Sequence, residues 1–163
     1  MHRANIINPN PMISLQFKTT IQAPANKVYD TMLGLSDKST YEQWTALFNP
    51  PSTYEGNWEK GRKMLFVGVD ENGAKGGMLS RIADIIPDRF VSIQHYGMVQ
   101  AGVEITEGPE VDKWANGFEN YTFAENNGAT TVTVDMDAAE EFSGYMEETY
   151  PKALEKLKEI CEG

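Results

Sequence analysis

FSGYMEETYPKALEKLKEIC, residues 142–161, is the stretch on which the fold turns. Phe142, Tyr145, Met146, Thr149, Ala153, Leu154, Leu157, Ile160 and Cys161 recur at three- and four-residue spacing, which is one apolar stripe along a helix. Glu147, Glu148, Lys152, Glu155, Lys156 and Lys158 form the wet side, with acids early and lysines late as the helix dipole favours. Pro151 removes one backbone hydrogen bond. The stripe keeps its phase across the proline, so the spacing predicts one kinked helix rather than a detached first turn. Such a helix must bury its stripe against something.

The residues upstream supply a sheet. Ile13, Leu15, Phe17, Thr19 and Ile21 alternate with polar neighbours, the period of a half-buried strand. APANKVYDTMLG (23–34) then reads as a short helix with Pro24 at its start and Gly34 at its end. STYEQWTALF (39–48) reads as a second, with Ser39 as N-cap and Glu42 completing a capping box. Strand-like segments follow at 53–58, 63–70, 77–86, 90–97, 116–124 and 129–136. DENG (70–73), IPDR (86–89) and ENNG (125–128) are tight-turn signals, so the run is an antiparallel meander. Segment 97–115 is too long for a hairpin loop and carries four acids. Residues 1–11 have no periodicity and are expected to be a flexible extension, leaving 12–163 as one domain.

Composition narrows the partners. The 163 residues carry a formal net charge of −10 with no basic cluster, which disfavours nucleic acid and anionic membrane surfaces. There is no apolar run of membrane-spanning length and no signal-peptide core. A lone cysteine, Cys161, excludes an internal disulfide, so a cytoplasmic location is expected.

The order strand, two short helices, antiparallel strands and long C-terminal helix resembles the helix-grip fold of the START/Bet v 1-like (SRPBCC) superfamily. Within it, the chain is similar to the branch related to the C-terminal domain of the Hsp90 activator Aha1. The residues that carry the resemblance are IQAPANKVYDTM (21–32), YEQW (41–44), EGNWEKGRKMLF (55–66), GGMLSRIADIIPDRFVSI (76–93), ENYTF (119–123), NNGATTVTV (126–134) and YPKALEKLKEIC (150–161). The resemblance implies an α+β architecture: a strongly curved antiparallel sheet wrapped around the C-terminal helix. A cavity between them would open near the two short helices. It also implies a co-chaperone class of function. That domain normally accompanies an N-terminal partner for which this chain has no room, so a chaperone partner is not expected.

Motifs for catalysis are absent: there is no G-x-S-x-G, phosphate-binding loop, H-E-x-x-H or paired cysteines, and no metal or cofactor is expected. The chain has two histidines, His2 and His95. His95 shares an alternating set with Val91 and Ile93, which points it inward, and Glu119 shares one with Tyr121 and Phe123. If strands 90–97 and 116–124 pair, His95 and Glu119 approach each other. The pair then satisfies itself in a semi-polar core, contacts a ligand, or performs acid–base work. Trp44 in the second short helix and Trp114 at the end of the long segment are candidates for the cavity mouth. Tyr145, Met146 and Thr149 on the helix, with Met64, Phe66, Met78, Ile82, Val132 and Val134 on the sheet, complete the expected lining. The leading expectation is a cavity that binds a small hydrophobic, aromatic or lipid-like ligand. The alternatives are a pocket enzyme of the cyclase, aromatase or hydrolase type using His95, Glu119 and Tyr121, and an interaction module. A homodimer is compatible with the sequence, although no interface signature marks one.

Overall fold

The structure, a computed structural model, describes residues 12–69 and 72–163. The expected extension at 1–11, and Asp70 and Glu71 of the DENG turn, lie outside the described residues. The elements run β1 (Met12–Ile21), α1 (Ala25–Leu33), α2 (Lys38–Thr45), β2 (Thr53–Gly56), β3 (Lys63–Val69), β4 (Lys75–Ile86), β5 (Phe90–Gln100), β6 (Val103–Ile105), α3 (Pro109–Asp112), β7 (Gly117–Asn126), β8 (Ala129–Ala139) and α4 (Glu140–Glu162). Among the described residues eight strands form one antiparallel sheet in the order β1-β8-β7-β5-β4-β3-β2, with β6 paired to β5. The first strand therefore lies beside the last, from Met12 opposite Ala139 to Ile21 opposite Thr130.

One face of the sheet packs against α1, α2 and α4, and the two layers share a single apolar core. The turn signals act as expected. Asn127 and Gly128 take φ values of 55° and 81° in the β7–β8 hairpin. Pro87 and Asp88 connect β4 to β5, with Arg89 N–H donating to the Ile86 carbonyl. α1 ends on Gly34 at φ 68°, where an added Cβ would lie 2.9 Å from that of Tyr41.

Three expectations change. The N-cap of α2 is Asp37, whose carboxylate accepts from Ser39 N–H at 3.0 Å; it stands two residues earlier and leaves no role for a Ser39 capping box. Segment 97–115 is not one loop: β5 continues to Gln100, turns through Ala101 and Gly102 at positive φ, and returns as β6 before the single turn of α3. Finally, α4 is one continuous helix through Pro151, but its stripe is buried only from Thr149 onward. Phe142 and Tyr145, nearly half exposed, belong to first turns that the core does not cover.

Candidate functional site

Strand register assembles the site. Ser80 on β4 lies directly opposite His95 on β5, with Met64 of β3 on the other side of Ser80. A register shift between Leu79 and Ser80 inserts an extra residue into β5 beyond His95, which returns Met98 to the helix-facing side opposite Met78. On the other flank, His95 faces Gly117 of β7, which has no side chain to compete for the space. Two residues along β7, Glu119 stands opposite Ile93 and reaches His95 diagonally. Tyr150 comes down from α4.

These groups form one hydrogen-bonded chain. Ser80 Oγ lies 2.6 Å from His95 Nδ1, and His95 Nε2 lies 2.9 Å from Glu119 Oε1. The Tyr121 hydroxyl donates to Glu119 Oε2 at 3.4 Å, and the Tyr150 hydroxyl donates to the same oxygen. Ser80 and Glu119 engage both ring nitrogens of His95, so every polar group in the chain has a partner. Burial pushes the Glu119 carboxyl up, but the His95, Tyr150 and Tyr121 hydrogen bonds and the attraction of His95 outweigh it. The net shift is downward, so Glu119 is a carboxylate. Burial, reinforced by the negative charge of Glu119, pushes Tyr121 and Tyr150 well above the ordinary tyrosine range, so both remain donors.

The face that carries this chain is closed at one end and half open at the other. At the closed end, Trp44 is 1% exposed, and its indole N–H donates to the Met32 carbonyl at 2.9 Å. Its ring meets Tyr41, Tyr121 and Tyr150. Tyr54 caps this cluster through a hydrogen bond to the Gly34 carbonyl. The region beside the short helices, expected to be the opening, is thus packed with aromatic rings, and Trp44 is interior. Met64, Ile82, Val132 and Val134 are fully buried, and Thr149 and Tyr121 nearly so. Toward the end where α4 leaves β8, burial falls. Phe66, Met78, Met98 and Met146 are only half buried, and the side chains of His95 and Glu119 keep 12% and 16% of their surface accessible. Phe66 meets the His95 ring edge-on at 6.2 Å. Trp58 packs on Phe66, and its buried indole N–H has no partner among the described residues. Trp114, half buried, sits in the turn between α3 and β7, where Lys113 pairs with Glu141 of α4 at 3.3 Å. Tyr145 is exposed, with its hydroxyl on the Phe48 carbonyl, so it braces α4 against the loop after α2 instead of facing the core.

No family model matches the chain, and no curated protein does. Solved structures do match. A protein of unknown function from Staphylococcus aureus superposes with a TM-score of 0.69 at 13% identity, covering 94% of this chain and 96% of that one. A protein from Arthrobacter aurescens gives 0.68 at 17%, covering 91% and 85%. One from Cytophaga hutchinsonii gives 0.67 at 17%, covering 93% and 95%. At such identities the likeness is one of fold.

Two members of the chain escape sequence reasoning. Ser80 gives no signal, because a serine in a strand is ordinarily a neutral filler. Tyr150 does give one, since it lies four residues after Met146 and four before Leu154 on the stripe. Among the described residues, no three His, Cys, Asp or Glu side chains gather as a metal site, and no helix is long and apolar enough to cross a membrane. Two surface hollows among the described residues lie apart from the chain. One, of about 700 Å³, is bordered by Pro50, Pro51 and Lys75; the other, of about 550 Å³, by Ala25, Arg89 and Phe123.

Proposed function

We propose that this protein is a cytoplasmic helix-grip protein of the START/Bet v 1-like kind that binds a small, largely apolar ligand. The ligand site lies at the half-open end of the helix-facing sheet surface. The observation that carries the reading is the Ser80–His95–Glu119–Tyr150 chain, a polar thread whose His95 and Glu119 keep accessible surface amid Phe66, Met78, Met98 and Met146. Apolar walls with a few convergent polar groups are the usual make-up of a small-molecule site. Methionines adapt their shape at little cost, so the wall tolerates ligands of varied outline. Titration with the neutral fluorophore N-phenyl-1-naphthylamine, followed with methyl-labelled methionine by NMR, tests it. Saturable binding that shifts the methyls of Met78, Met98 and Met146 is expected. No saturation, or shifts confined to other methionines, sinks the reading.

Acid–base catalysis is the second reading, because Ser80, His95 and Glu119 stand in the order of a hydrolase triad. Its weakness is Ser80, which is completely buried and has no surface to offer a substrate. If catalysis occurs, His95 and Glu119 carry it without a serine nucleophile. His95→Ala would then abolish turnover while leaving affinity in place, whereas a wall residue would change affinity.

A further inference from the structure

A carboxylate offers about four acceptor positions on its two oxygens. On Glu119, Oε2 accepts from Tyr121 and Tyr150, and among the described residues Oε1 accepts from His95 alone. One acceptor position therefore remains on Oε1, on a side chain that retains accessible surface at the half-open end. The neighbouring donors are spent. Both His95 ring nitrogens are engaged, and each tyrosine hydroxyl is turned to the carboxylate. Among the described residues, the groups hydrogen-bonded to His95 and Glu119 thus offer a ligand a charged acceptor and no free donor. The walls beside them are rings and thioethers.

We propose that the ligand carries a hydrogen-bond donor, a hydroxyl or a protonated amine, which docks on Glu119 Oε1 while its apolar body lies against Phe66 and the methionines. This inference rests on the ligand-site reading above and specifies its chemistry. It disfavours ligands that place a carbonyl, ether or carboxylate against Glu119, because such a group would meet the carboxylate lone pair; the unpartnered Trp58 indole N–H lies beyond Phe66, away from that oxygen. The protein's net charge of −10 acts in the same direction by drawing cations and turning anions away.

The test uses four probes on one carbon frame: indane, 1-methoxyindane, 1-indanol and 1-aminoindane, each titrated into the whole protein by NMR at pH 7. The alcohol and the amine are expected to bind about tenfold or more tighter than the ether, the value of one hydrogen bond to a charged partner. The difference between amine and alcohol then shows whether charge or the donor alone is selected. Glu119→Gln is expected to remove the advantage of the amine. Should that variant fail to fold, the probe series on the unaltered protein still decides. Equal binding of all four overturns the donor assignment and leaves the ligand site standing. Binding of none, up to the solubility limit, overturns both.

Discussion

Glu119 is the residue on which the site's chemistry rests, because three donors from two strands and a helix converge on one carboxylate inside the protein. Removing the donor from the helix by Tyr150→Phe costs a hydrogen bond to a charged group. Chemical denaturation is expected to show a loss of about 1.5–3 kcal/mol. Acid gives an independent reading. The folded Glu119 carboxyl sits below its ordinary value of 4.5, so the unfolded chain takes up the proton first as pH falls. Its stabilising contribution is therefore complete above that value and drains away as pH drops through the folded one. The stability of the parent should fall more steeply below pH 4.5 than that of Glu119→Gln. Much of this site was legible beforehand: the alternation of Val91 and Ile93 places His95 on the helix-facing side, and that of Tyr121 and Phe123 does the same for Glu119. Ser80 was not, because its meaning comes only from lying opposite His95 across a bulged register that no local pattern records.

Among the elements, β4 is the most demanding. Gly77 takes φ 142°, and an added Cβ would stand 2.0 Å from the Phe66 carbonyl oxygen across the β3–β4 ladder. Gly77→Ala must part those strands at the residues that border the half-open end. A loss of at least about 2 kcal/mol is expected by urea denaturation, together with a shifted Met78 methyl resonance. Elements with strong periodicity, β1, α1, β3, β4, β5, β7 and β8, could be read from the sequence because pattern and burial coincide there. Two could not. β6 has three residues and α3 four, too short for any period to declare itself. The first half of α4 misled for a different reason: Phe142 and Tyr145 keep helical phase with the stripe, but phase says nothing about how far the covering partner extends.

At the scale of the whole molecule, the net charge of −10 makes the compact state repel itself. Raising salt from a few millimolar to about 0.15 M shortens the screening length to about 8 Å. The melting temperature should rise with it, since the exposed ion pairs that salt weakens contribute little. The chain is held closed by β1 against β8 and by the end of α4, where Glu162 accepts from Gln22 N–H at 2.8 Å and Lys158 donates to the Thr20 carbonyl. Pro151 then acquires a mechanical meaning. From Thr149 and Tyr150 onward α4 is clamped to the core, with Ala153, Leu154, Leu157 and Cys161; the turns before them are braced by Met146, the Tyr145–Phe48 hydrogen bond and the Lys113–Glu141 pair. Because proline supplies no N–H, the ladder is already one rung short at the junction. The turns of α4 before Thr149 are therefore its less tightly held part. Amide hydrogens of residues 144–148 should exchange through local opening that denaturant barely affects, whereas those of residues 154–161 should exchange only with global unfolding. Those first turns would then fray at a rate set independently of the protein's overall stability.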